Sequence, residues 1–232
     1  MEDKKYRHEF KYPCSAAQLA IIQSRLDPLL RKDKHVVNGS YRIRSMYFDN
    51  YANRCYYENE NGTDPREKFR IRIYDASKER ISLECKRKEN GKTYKTSCLL
   101  SLDEYYRIVN NDPISIEADQ PKLLKNFLIL KKTQLYKPSV IVEYDRIPYV
   151  YQDGNVRVTL DMNISSSDAF ENFLDETIAK RQILPAGQHL LEVKYDEFLP
   201  EFIKSSLESL GVQRSTFSKF YLCKKFSMGV QL

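Results

Sequence analysis

Three triplets of the form Glu-x-Lys carry the densest chemistry in the sequence: Glu9-Phe10-Lys11, Glu84-Cys85-Lys86 and Glu192-Val193-Lys194, each with an apolar residue in the middle. Arg70-Ile71-Arg72 repeats the arrangement with two arginines between Phe69 and Ile73, and Arg157-Val158-Thr159-Leu160-Asp161 continues it. In a strand, residues i and i+2 share a face. Each segment therefore presents charge on one side and hydrocarbon on the other. Any one triplet alone is an ordinary amphipathic strand with a solvated face. The set is different, because its charged positions are nearly all Arg, Lys or Glu, and acid and base recur in the same order on distant segments. Arginine forks bind phosphate oxygens in pairs and lysines add point charge. Carboxylates among such cations are candidate ligands for Mg²⁺ or Mn²⁺, which prefer oxygen and bridge phosphates.

The elements that must position these residues read as an α+β domain rich in antiparallel strands. Strands are expected at Tyr6–Tyr12, Tyr41–Asp49, Glu67–Ala76, Arg80–Lys88, Lys92–Leu100, Ser139–Tyr149, Asn155–Ile164, Leu190–Tyr195 and Phe217–Phe226. Tight turns such as Lys88-Glu89-Asn90-Gly91-Lys92 join some of them. Helices are expected over Ala16–Arg31 after a Ser15 cap, from the Ser101/Glu104 capping box to Val109, after Pro121, over Asp168–Lys180 and over Pro200–Leu210. These helices need apolar surface, and the apolar strand face supplies it. If the sheet closes, the charged face must turn inward, giving a barrel with a polar lumen and helices outside. Two like charges about 6 Å apart at an effective dielectric near 20 repel by roughly 3 kcal/mol. A lumen lined with cations is therefore stable only when wet or filled by a polyanion, and phosphate chains are the natural filler.

Composition narrows the classes further. The 232 residues, 41% hydrophobic and 30% charged with a net charge of +6, describe one continuous globular domain. No two of the seven glycines lie closer than eighteen residues, which excludes a Walker loop or a dinucleotide fingerprint. Five scattered cysteines and three isolated histidines form no zinc pattern and imply reduced thiols. No apolar run approaches a membrane span, and Met1-Glu2-Asp3-Lys4-Lys5 lacks a secretory stretch, so a cytoplasmic protein is expected. His8, His35 and His189 lack catalytic partners and read as structural or surface residues. The seventeen tyrosines read as barrel packing rather than a stacking platform for nucleic acid. Lys122, Lys125, Lys131 and Lys132 read as a solvated helix face, and Cys85 as packed.

Read together, Arg7-His8-Glu9-Phe10-Lys11-Tyr12, Ser45-Met46-Tyr47-Phe48-Asp49-Asn50, Phe69-Arg70-Ile71-Arg72, Leu83-Glu84-Cys85-Lys86, Tyr144-Asp145-Arg146, Val156-Arg157-Val158-Thr159-Leu160-Asp161, Leu191-Glu192-Val193-Lys194 and Phe217-Ser218-Lys219-Phe220 resemble the VTC domain. This is the polyphosphate polymerase branch of the triphosphate tunnel metalloenzymes, and the resemblance runs from about residue 6 to residue 226. It implies a closed eight-stranded antiparallel barrel binding triphosphate or polyphosphate in its lumen with Mn²⁺ or Mg²⁺. It implies a phosphate-binding, catalytic set of Lys11, Arg70, Arg72, Lys86, Arg146, Arg157 and Lys219. Tyr144 and Ser218 are similar to family hydrogen-bond donors, with Lys95 and Lys194 as further substrate contacts. Glu192 looks like the metal ligand, with Glu9 and Glu84 as secondary candidates, and Asp161 shares the lumen parity. The chain has Thr216 where the polymerase branch tends to have Lys. The implied reaction moves the γ-phosphoryl of a nucleoside triphosphate onto a growing chain. Hydrolysis of triphosphate, or phosphate-chain binding beside a separate membrane protein, would use the same residues.

Overall fold

The computed structural model describes residues 6–33, 36, 39–208 and 210–229; His35 lies outside them. Eight strands form one continuous sheet: β1 (His8–Ser15), β3 (Tyr41–Asp49), β4 (Arg66–Tyr74), β5 (Ile81–Glu89), β6 (Lys92–Leu100), β7 (Lys137–Tyr151), β8 (Val156–Ser167) and β10 (Gln188–Tyr195). Two short strands, β2 (Arg31–Lys32) and β9 (Arg181–Gln182), pair on β7 and β8. The order is β1-β10-β8-β7-β3-β4-β5-β6, and every pairing is antiparallel.

The sheet curls until its edges meet at one bridge, where Arg7 and Thr93 exchange backbone hydrogen bonds of 3.0 and 3.1 Å. Among the described residues no other backbone hydrogen bond joins β1 to β6. The expected closed barrel is thus a curled antiparallel sheet whose seam is stitched at one point. The β5–β6 hairpin turns on Asn90 and Gly91, both at positive φ (51° and 73°), a backbone that an Asn-Gly pair adopts readily.

Helices cover the outer, apolar face as the strand parity requires. One pair, α1 (Ala16–Leu26) and α5 (Glu201–Glu208), packs Leu19, Ile22, Leu26, Ile203 and Leu207 over Val158, Leu160, Leu191 and Val193. Another pair, α3 (Leu102–Asn110) and α4 (Lys122–Gln134), brings Ile108, Leu124 and Phe127 to the core of Met46, Phe48, Ile71 and Leu83. Ser15 and Ser101 form capping boxes with Gln18 and Glu104. Each box satisfies otherwise orphaned first-turn amides.

Four expectations need correction. α1 ends at Leu26 rather than Arg31, because Pro28 cannot supply the amide that would continue it. Phe217–Phe226 is no strand: α6 (Lys219–Ser227) starts on the Ser218 cap, and Phe217, Phe220 and Cys223 are buried at helical spacing. Asp168–Lys180 forms only a 3₁₀ turn at Phe170–Asn172. There the carbonyls of Phe173, Asp175 and Glu176 accept from the buried Arg44 guanidinium, so they are not available to an α-helix. On α4, Lys131 is buried and donates to Asn111 Oδ1 at 2.6 Å, while Lys122 and Lys132 are exposed. One helix, α2 (Arg54–Glu60), was not expected; the Asp49 carboxylate anchors it by accepting from the amides of Cys55 and Tyr56.

Candidate phosphate-binding face

Strand register builds the site. Across the ladder, Glu9 lies opposite Lys194, Lys11 opposite Glu192, Glu192 opposite Thr159, Arg146 opposite Asp161 and Arg70 opposite Glu84. Directly opposed residues point to the same face, so charges from β1, β4, β5, β7, β8 and β10 converge on the concave side. There α6 adds Lys219, whose ammonium lies 2.6 Å from Asp161 and 3.8 Å from Glu192.

Every carboxylate on this face is shared between cations. Glu84 accepts from Arg70 (2.6 Å) and Lys95 (2.9 Å), with Arg72 at 3.7 Å. Glu9 accepts from Lys86 at 2.6 Å across the seam and lies 3.0 Å from Lys11. Glu192 holds Lys194 at 2.5 Å, with Lys11, Lys219 and Arg146 between 3.7 and 3.9 Å. Asp161 takes a two-point fork from Arg146 at 2.6 and 2.7 Å. Eight cations (Lys11, Arg70, Arg72, Lys86, Lys95, Arg146, Lys194 and Lys219) thus share four carboxylates.

The electrostatics follow. Burial works against ionising each carboxyl, but the surrounding cations overcome it. Lys86 and Lys11 hold Glu9 below the usual range, Arg72 and Arg70 hold Glu84 there, Arg146 and Lys219 hold Asp161, and Lys194 and Lys219 hold Glu192. Desolvation would raise the buried Tyr144 phenol, yet Arg146 and Arg72 bring it below its ordinary value. Its hydroxyl lies 3.4 Å from Arg72.

Of the residues expected from sequence, two lie outside the carboxylate network. Arg157, opposite Lys194 at the start of β8, is at the rim of the face, its side chain 54% exposed and 3.9 Å from Asp33. Ser218 caps α6, its hydroxyl accepting from the Tyr221 amide. Lys11, Arg70, Arg72, Lys86, Lys95, Tyr144, Arg146, Lys194 and Lys219 all reach the charged face.

The carboxylates Glu9 and Glu192 converge on the Lys11 ammonium, whereas Glu84 belongs to the Arg70 group. Among the described residues no three His, Cys, Asp or Glu side chains group as a metal site. A convergent carboxylate pair still fits Mg²⁺ or Mn²⁺ when phosphate and water oxygens complete the shell, as is usual for Mg²⁺.

Sequence reasoning missed three residues here. Tyr47 accepts from Arg70 at 2.7 Å. The Thr159 hydroxyl, opposite Glu192, is buried with no hydrogen-bond partner among the described residues. Lys68 shares the parity of Arg70 and Arg72 and was legible from period two alone.

The sequence matches the VTC domain over residues 6–227, and the chain belongs to that family. No curated relative matches it. The solved structures that resemble it in fold include three of low identity. HpAC1 from Hippeastrum, an adenylyl cyclase candidate for which a dominant triphosphatase activity is described, is 16% identical (TM-score 0.54; 98% of this chain, 97% of that one). An adenylate cyclase candidate from Bacillus halodurans is 14% identical (TM-score 0.55; 93% and 95%). The PH1012 protein from Pyrococcus horikoshii is 13% identical (TM-score 0.50; 93% and 98%). Among the described residues no helix is long and apolar enough to cross a membrane.

Proposed function

We propose that the chain is a polyphosphate polymerase that transfers the γ-phosphoryl of a nucleoside triphosphate to the end of a phosphate chain held on the concave face. The observation that carries this reading is the two-to-one excess of cations over carboxylates there. The terminal oxygen of the chain bonds to the γ-phosphorus as the bond to the β–γ bridging oxygen breaks, leaving a nucleoside diphosphate. That terminal oxygen is already anionic, so positioning and charge neutralisation do the catalysis and no general base is required.

Within this reading Arg70, Arg72 and Arg146 present guanidinium forks to non-bridging oxygens, Lys11 and Lys219 add point charge, and the acidified Tyr144 hydroxyl donates a further bond. Glu192 with Glu9 would hold Mn²⁺ or Mg²⁺, which supplies additional neutralisation of phosphate charge. The Lys86–Glu9 pair from β5 to β1, with the Thr93 hydroxyl of β6 donating to Glu9 at 3.4 Å, supports a tunnel whose wall closes through side chains. Nucleoside triphosphate and polyphosphate are then the ligands, and the protein works in the cytoplasm.

A second reading, hydrolysis of triphosphate, uses the same face with water as acceptor; the triphosphatase activity described for HpAC1, of like fold, favours it. Incubation with ATP and Mn²⁺, followed by gel analysis of phosphate chains, separates the two. Long chains are expected from the wild type, and none from Glu192→Ala, which keeps most of its affinity for tripolyphosphate. Orthophosphate release without chain growth selects the hydrolase, and binding without turnover in any metal rejects both.

A further inference from the structure

Lys68, on the tunnel side of β4, meets other cations without an acid between. It lies on β4 directly opposite Lys86 of β5, a like-charged pair that destabilises a sheet. Arg66 on its own strand and Lys11 on β1 add further positive charge. Its ammonium donates to Asn59 Oδ1 of α2 at 2.5 Å and lies 3.4 Å from the Ser218 hydroxyl that caps α6. The Phe220 ring lies 4.8 Å below it. The remaining titratable neighbour, the Cys55 thiol of α2, is pushed up to about 12 by burial and is neutral. Among the described residues no carboxylate pairs with Lys68. Every lysine and arginine of the eight-cation network has one.

We propose that Lys68 is a further phosphate-binding residue, whose ammonium is completed by an oxygen of the phosphate chain in place of the carboxylate it lacks. This rests on the reading that the concave face binds phosphate chains, and it extends that site toward α2 and the α6 cap. Lysine suits the place because a buried ammonium can shed its proton when no anion is near, whereas a guanidinium cannot. Burial, followed by Arg66, Lys11 and Lys86, brings Lys68 down to about 7. Near neutral pH the unliganded protein therefore holds Lys68 partly as the free amine. An arriving phosphate chain draws a proton onto it, so binding takes up protons and weakens as pH rises above 7.

Titration calorimetry with tripolyphosphate at pH 7, in two buffers of different ionisation enthalpy, measures both affinity and proton uptake. Lys68→Met is expected to weaken binding roughly tenfold or more and to lower proton uptake by about half a proton per chain, as a group near pKa 7 requires. Lys68→Arg is expected to retain affinity yet show the same loss of uptake, because its charge is fixed. Titration of the ligand itself is common to all three proteins and cancels in the differences. Wild-type affinity and uptake in Lys68→Met, alongside weakened binding in Arg70→Ala, overturns the assignment and leaves the phosphate face standing. Wild-type uptake in Lys68→Arg also overturns it. A wild-type protein that binds no tripolyphosphate overturns the phosphate face as well.

Discussion

The tripeptide Arg-Ile-Arg occurs on two neighbouring strands, as Arg42-Ile43-Arg44 on β3 and Arg70-Ile71-Arg72 on β4. Register sends the two opposite ways. Arg44 lies opposite Ile73 on the outer face, whereas Arg72 lies opposite Ser45 on the concave one. Outside, Arg44 is 1% exposed and its donors go to Glu143 and to the carbonyls of Phe173, Asp175 and Glu176. Its acid partner is further held by Lys180. Inside, Arg70, Arg72 and Lys95 share one carboxylate, Glu84. A charge cluster whose donors are all used within the chain fastens the fold. Three cations gathered on one carboxylate of a concave face are suited to an anionic ligand.

The largest expected effect tests the outer half of that contrast. Arg44→Met leaves the buried Glu143 carboxylate with Lys180 alone and deprives three carbonyls of their donor, and should lower the unfolding free energy by about 3–5 kcal/mol in urea melts. Tripolyphosphate affinity of the folded fraction should be unchanged; a loss of affinity would break the comparison. Next comes the inner half. Arg72→Met should weaken tripolyphosphate binding by about 1.5–3 kcal/mol, ten- to a hundredfold by calorimetry. Its stability should shift far less than that of Arg44→Met, because Arg70 and Lys95 still serve Glu84.

The smallest effect is set by acid. Both Glu84 and Glu143 are buried, which opposes ionisation, but their cations hold them below the usual range. A carboxyl lowered in the folded state contributes stability that is complete above the unfolded value, about 4.3, and is lost as pH falls through the folded one. The urea midpoint should therefore change little between pH 7 and pH 5 and drop below pH 4. Loss of the midpoint already at pH 6 would contradict both networks.

Strand parity carried most of the curled sheet and many of the charges its concave face gathers, while Tyr144, Arg146, Lys95 and Lys219 came from the resemblance to the VTC domain. Tyr41–Asp49 and Lys92–Leu100 were legible to the residue, because their alternation is bounded by turn chemistry. Parity fails where tertiary contacts decide. The 168–180 segment has helical spacing, yet Arg44, more than a hundred residues earlier, takes its carbonyls. The 217–226 segment alternates well enough to pass for a strand, and only its Ser218 cap and buried Phe217, Phe220 and Cys223 reveal the helix. Arg157 has the right parity, but it sits at the strand start, where parity says nothing about depth. The closed barrel required knowing how far β1 and β6 run side by side, which no local pattern encodes.

The pairing of β1 with β10 places residues 8–15 against residues 188–195, and Lys11 donates to the Phe217 carbonyl at 2.7 Å. β1 is thus completed by segments made nearly two hundred residues later. Closing so long a loop is entropically unfavourable, although the penalty grows only logarithmically with length, and non-local pairings of this kind slow folding. During synthesis β1 must persist with its edges unpaired, at ribosomal speeds of about 5–20 residues per second, for roughly ten seconds or more. Its alternating charges, Glu9 and Lys11 among them, then have a task before any ligand arrives: they discourage edge-to-edge association while the strand waits for its partner.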